Sequence, residues 1–175
     1  MRIRSLLLAV ALVAGNAAAA QPATTLEPHF APLDYMIGHC WRAKFKDGKE
    51  DVQCYRALYG GKLVQSTHVV EESQPRYEGM AIFSWDAANK RLRFHYFTST
   101  GAVAEGYFAN DAEGVLIPER HVGDDGTITD METHYQRVGD AAYRVVTREK
   151  TKTGWVERMD LLYQREPQPA LQTTP

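Results

Sequence analysis

The chain has 175 residues, enough for one domain of ordinary size and too few for two. Its 20 Lys and Arg against 22 Asp and Glu give a formal net charge of −2, so no basic excess favours nucleic acid or an anionic membrane surface. At 44% hydrophobic and 24% charged the composition is globular, and two cysteines exclude a disulfide-rich mini-protein, an iron–sulfur cluster and a four-cysteine zinc site.

Residues 1–20 have the pattern of a secretory signal peptide. Arg2 and Arg4 make a positive start, Leu6 to Ala14 an apolar stretch, and Ala18-Ala19-Ala20 a small-residue cleavage site before Gln21. The apolar stretch is nearer to about 10 residues than to the roughly 20 that cross a bilayer, so no membrane anchor is expected after cleavage. The expected address is a bacterial periplasm or the exterior. Residues 21–31 then read as a flexible N-terminal segment, 32–166 as one folded domain and 167–175 as a flexible C-terminal tail.

An oxidising compartment allows Cys40 and Cys54 to pair. Phe45-Lys46-Asp47-Gly48-Lys49 has the form of a three-residue hairpin loop, with Gly48 at the left-handed position that closes it. Pairing Phe45 with Lys49 and counting outward sets Cys40 opposite Cys54. Opposed residues of a non-hydrogen-bonded pair sit about 4.5 Å apart at Cα, within disulfide reach.

From Cys40 onward, turn signals recur about every ten residues. They include Asp47-Gly48, Gly60-Gly61, Asp86 to Lys90, Thr100-Gly101, Gly123 to Gly126, Gly139-Asp140 and Lys152 to Gly154. The runs between them are rich in Val, Ile, Tyr, Phe, Thr and Trp, which is a strand signal. The only helix-like piece is a single turn over residues 32–37. Short links pair neighbouring strands antiparallel, and a meander of about ten strands leaves exposed edges unless it closes. The expected fold is therefore all-β: a closed antiparallel up-and-down barrel with a short N-terminal helical turn plugging one end. A barrel of that size has room for a ligand among its inward side chains.

Met36-Ile37-Gly38-His39-Cys40-Trp41 resembles the opening of lipocalin-like (calycin) barrels, in which a helical turn precedes G-x-W and the Trp packs across the barrel floor. One extra residue makes the motif G-x-x-W here. Tyr163-Gln164-Arg165 resembles the last strand of such barrels, whose Arg often covers that Trp. Tyr59-Gly60-Gly61-Lys62-Leu63-Val64, Tyr77-Glu78-Gly79, Trp85-Asp86 and the Gly101 to Gly106 stretch are similar to a bacterial calycin-like family of unknown function. The resemblance implies a small apolar ligand in the barrel and brings no catalytic residues. The related nitrobindin-like barrels hold haem through a His on a late strand. Residues 155–165 contain no His, so haem is not carried over and no cofactor is expected.

Strand alternation sorts the faces. Across the turn at Asp86 to Lys90, Trp85 pairs with Leu92, Phe83 with Phe94 and Ala81 with Tyr96. This apolar set should face inward, leaving Arg91, Arg93 and His95 outside. A turn at Thr100-Gly101 then opposes Tyr96 to Glu105 and Phe94 to Tyr107, which puts Glu105 and Tyr107 inside. Leu116 inward carries Pro118 and Arg120 with it, and Arg120 falls opposite or diagonal to Glu105. A lone buried charge is costly, so an inward Glu wants such a partner. Glu105 and Arg120 then read either as a polar ligand anchor ringed by Tyr96, Tyr107 and Tyr135, or as a structural ion pair between strands. His68 reaches the same interior through the first hairpin, as a ligand-binding group or a satisfied core histidine. Glu119, His121, Asp130, Glu132 and His134 fall on one shared face by this register, which reads as a solvated exterior, so no metal site is expected.

Three functions fit. The first is a barrel that binds a small, largely apolar molecule, with any anionic group placed against Arg120. The second is an acid/base isomerase or hydrolase using Glu105 or His68. The third is an envelope interaction module whose interior is filled by its own side chains. The sequence carries no signal for oligomeric state.

Overall fold

Runs of alternating aromatic and β-branched residues, broken by Gly, Asp and Asn, form one antiparallel sheet in a computed structural model that describes residues 26–111 and 114–167. The proposed signal peptide, residues 1–20, and the tail beyond residue 167 lie outside the described residues. The strands are β1 (Cys40–Lys44), β2 (Glu50–Leu58), β3 (Leu63–Val70), β4 (Tyr77–Asp86), β5 (Arg91–Thr98), β6 (Val103–Tyr107), β7 (Ala109–Asp111), β8 (Gly114–Val122), β9 (Ile128–Arg137), β10 (Ala142–Thr151) and β11 (Gly154–Arg165).

Apart from β6 and β7, each strand pairs with its neighbours in sequence, and β1 pairs with β11 through Trp41↔Arg165, which closes the ring. The short β6 and β7 both pair with β8 and together occupy one place in the wall. The result is a closed up-and-down barrel of ten positions, as the turn spacing predicts. Closure pairs the first and last strands of the meander with each other, which removes the two long edges that an open sheet would present.

The first hairpin follows the expected register. Phe45 N–H donates to the Lys49 carbonyl at 2.8 Å, and Gly48 takes a φ of 94°. Cys40 stands opposite Cys54, and the two are joined by a disulfide with Cα atoms 4.0 Å apart.

One end of the barrel is plugged. The helical segment is longer than the single turn expected: a 3-10 helix runs over Pro28–Met36. With three residues per turn, Phe30, Leu33 and Met36 line up on one face, and all three are buried. The packed region therefore begins inside the segment expected to be flexible, since Phe30 is wholly out of solvent. Trp41 is also fully buried and donates its indole N–H to the Met36 carbonyl at 3.2 Å. The Arg165 guanidinium lies 5.0 Å over the Trp41 ring, and Tyr143 meets that ring edge-on at 5.0 Å. At the same end His29 stacks on Trp85 at 4.5 Å.

The β4–β5 pairs are those expected, with Trp85↔Leu92, Phe83↔Phe94 and Ala81↔Tyr96. The β5–β6 pairing is one residue away from expectation. Thr98 N–H bonds the Ala102 carbonyl at 3.0 Å, and Gly101 has a φ of 89°, so the loop is Ser99-Thr100-Gly101. This is the same three-residue loop as the first hairpin, not a two-residue turn. His95, not Tyr96, therefore opposes Glu105, and Arg93 opposes Tyr107. A one-residue slip exchanges the two faces of a strand. Glu105, Tyr107 and Arg120 consequently lie on the outside of the barrel.

The disulfide spans a sequence separation of 14. Closing so short a ring stabilises by about 3 kcal/mol in the chain-entropy account. Urea unfolding of reduced and alkylated protein should show that loss as a lower midpoint with an intact barrel spectrum. An unchanged midpoint would show that the hairpin does not depend on the bridge.

Candidate functional site

A cavity of about 220 Å³, partly open to solvent, occupies the barrel away from the plug. Phe45, Val70, Tyr77, His121 and Met159 line its outer part. All but Met159, which lies within β11, sit at or beside strand ends remote from the 3-10 helix. Phe94, Ile117, Val145 and Tyr163 line it deeper in. Three of the expected site residues face this space: His68, Tyr96 and Tyr135.

The other three do not. Glu105 is paired with Arg120 in register, as expected, but on the outer surface. Its carboxylate is more than half exposed and bonds Arg93 at 3.1 Å. Tyr107 lies under the Arg91 guanidinium at 3.5 Å, also outside. Arg120 is exposed. The polar anchor expected from Glu105 and Arg120 is therefore absent from the interior: β6 is shifted by one residue at the Gly101 loop, and on β8 it is Ile117, not Leu116, that faces inward.

Its place is taken by two carboxylates that sequence reasoning did not assign. Asp51 on β2 is 2% exposed and Glu119 on β8 is 8% exposed. The two strands are five positions apart in the ten-position ring, so the acids stand on opposite walls.

Asp51 accepts three hydrogen bonds. Tyr163 Oη and Gln53 Nε2 donate to Oδ2 at 2.5 and 3.0 Å, and His68 Nδ1 meets Oδ1 at 2.8 Å. Gln53 Oε1 in turn accepts from the hydroxyls of Tyr55 and Tyr143 at 2.9 and 3.0 Å. An ionised carboxylate can only accept, so the hydrogen-bond network places the proton of neutral His68 on Nδ1. Nε2 then accepts from Tyr96 Oη at 2.5 Å, and Tyr96 Oη meets Tyr77 Oη at 3.1 Å. The result is a continuous relay from Asp51 through His68 and Tyr96 to Tyr77 at the mouth.

Gly79 makes that relay possible. It stands opposite His68 on β4, and a Cβ there would lie 2.5 Å from both His68 Nε2 and Tyr96 Oη. Any larger residue would occupy the space where the two rings meet.

The second wall has its own cluster. Glu119 Oε1 accepts a short hydrogen bond from Thr133, which meets Thr147 Oγ1 at 3.1 Å. Glu119 Oε2 faces His121 Nε2 at 3.2 Å. Glu119 and His121 were expected to share an outer face with Asp130, Glu132 and His134. The register divides that set, with Glu119 opposite Met131 while Arg120 opposes Asp130 and Pro118 opposes Glu132. Among the described residues no group of three His, Cys, Asp or Glu side chains is arranged to hold a metal ion.

Burial raises five phenols of the interior, three lining the cavity and two in the core beside it. Tyr96 is pushed up by desolvation first, then by Tyr77 and the charge of Asp51. Burial likewise raises Tyr135, Tyr55, Tyr143 and Tyr163. A phenol raised in the folded state contributes stability that is complete below the ordinary value of 10.0 and is lost as pH climbs above it. Phenolate absorbance near 295 nm should thus leave these five tyrosines un-ionised at about pH 11. They should ionise together with loss of the fold. Smooth native-state ionisation of all nine tyrosines would contradict their burial.

Replacing Gly79 by Ala should cost about 1–3 kcal/mol, as overpacking a filled site does. It should also displace the His68 ring signals in an NMR spectrum. Unperturbed imidazole signals would show that the His68–Tyr96 contact does not need the bare backbone.

No family profile matches the sequence, and no curated protein matches it.

Proposed function

We propose that the protein is an exported calycin-like barrel that holds a small, largely apolar molecule in the open end of its barrel. The cavity carries this reading: most of the wall surface it exposes is apolar, much of it from Phe and Tyr rings, and hydrogen-bonded polar groups stand among them. Its volume of about 220 Å³ lies below the roughly 300–1,000 Å³ of pockets for drug-sized ligands, so the molecule is small. An interior filled by its own side chains, as an interaction module would have, fits less well with this space. The calycin-like assignment is supported by the helix before Trp41, the position of Trp41 on the barrel floor and the Arg165 guanidinium over its ring. Export is supported by the leader-like residues 1–20 and by the Cys40–Cys54 disulfide, which is compatible with an oxidising compartment.

A second reading rests on the Asp51–His68–Tyr96 relay. A carboxylate orienting a histidine that contacts a phenol is an arrangement able to move a proton. In this reading His68 keeps the acid/base role, and Glu105, outside the barrel, loses it. His68→Gln would then abolish turnover while a ligand still binds.

Ala81 lines the cavity and is 4% exposed. Ala81→Leu should fill part of the space, keep or raise the melting temperature, and remove the thermal shift caused by any small molecule that stabilises the wild type. Native mass spectrometry of protein recovered from the periplasm should show a bound molecule that the variant lacks. A ligand retained equally by Ala81→Leu would place binding elsewhere and overturn the reading.

A further inference from the structure

The charge of the cavity bears on what enters it. Among the described residues, those lining the cavity include Asp51 and Glu119 but no Lys or Arg. The bases present are His68 and His121, and each is already engaged by one of the two acids. The wall therefore carries carboxylates on two sides without a permanent cation between them. Buried acids in this position are stabilised by a positive charge brought from outside.

The rings point the same way. Tyr77, Phe94, Tyr96, Tyr135 and Tyr163 all line the space. The faces of such rings attract a cation, more strongly when water is excluded. Tyr135 adds a phenol to this wall. Its ring packs against the core and lines the space. Glu119 accepts at both oxygens but retains acceptor capacity, since an ionised carboxylate offers about four lone-pair sites.

We propose that the preferred ligand is a small organic cation, an ammonium group on an apolar or aromatic body, held between Glu119 and the tyrosine rings. This rests on the reading of the cavity as a binding site and names its ligand class. It replaces the anion expected from an inward Arg120. The selectivity follows from two features together: aromatic walls that accept any apolar body, and acids that penalise a carboxylate.

Three probes of nearly the same shape test it: benzylammonium, benzyl alcohol and benzoate, titrated calorimetrically into the purified protein at neutral pH. Benzylammonium should bind about ten-fold tighter than the alcohol, and benzoate should not bind measurably. Glu119→Gln should weaken benzylammonium by about ten-fold and leave benzyl alcohol within about two-fold, which also reports that the variant's cavity is intact. The wild-type ranking decides the matter even if that variant fails to fold. If the alcohol or benzoate binds as tightly as the amine, the cation preference is overturned and cavity binding survives. If none of the three binds, both fall.

Discussion

Asp51 is the point on which the interior depends. A carboxylate so nearly removed from water must have its oxygens satisfied by the protein, and it recruits partners from three strands. Gln53 comes from its own strand β2, His68 from β3 and Tyr163 from β11. Those partners bring others: Gln53 fixes Tyr55 and Tyr143, and His68 fixes Tyr96. One acid thus orders most of the rings around the cavity. A half-satisfied network of this kind would be worse than an apolar core, so its completeness is also a condition of the fold.

The barrel separates two tasks along its axis. The plugged end is dry and tightly packed, with the 3-10 helix, Trp41 and Arg165 stacked in sequence. The other end keeps unfilled space and concentrates the polar groups. Tyr143 and Tyr163, stacked at 4.9 Å, lie between the two regions. Tyr163 belongs to both: it is part of the buried core, and its hydroxyl reaches Asp51. Tyr143 does so as well, meeting Trp41 edge-on and bonding Gln53, so the link from packing to site chemistry runs through this stacked pair.

How far the sequence revealed this can be traced residue by residue. The all-β barrel, the Cys40–Cys54 pair and the inward positions of Ala81, Phe83, Leu92 and Phe94 were legible, because alternation and a glycine-closed hairpin are local signals; Trp85, expected with them, is instead exposed at the barrel end, where it stacks on His29. His68, Tyr96 and Tyr135 were placed inside for the same kind of reason. The failure began at one glycine. Gly101 closes a three-residue loop as Gly48 does, and a two-residue turn there sets Glu105 and Tyr107 on the wrong face; Arg120 follows from taking Leu116 rather than Ile117 as the inward residue of β8. Glu119 shares the face of Ile117 and is missed by that second choice.

Asp51 was missed differently. It follows Lys49 and Glu50 beside a hairpin, where a run of charges looks solvated. Yet the hairpin register sets it opposite the inward Ala43 and on the same face as Gln53 and Tyr55. That signal was available in the sequence. The spacing between opposite walls was not, since it depends on closure of the whole ring.

The placement of the tryptophans has a practical side. Of the three in the chain, Trp41 is sealed beneath the plug, and Trp85 and Trp155 are exposed. None lines the cavity. Indole emission will therefore register unfolding of the floor and say little about occupancy. The optical signature of a filled barrel belongs to the tyrosines, in near-ultraviolet absorbance and dichroism between roughly 270 and 290 nm, where their neutral phenols report a change of neighbour.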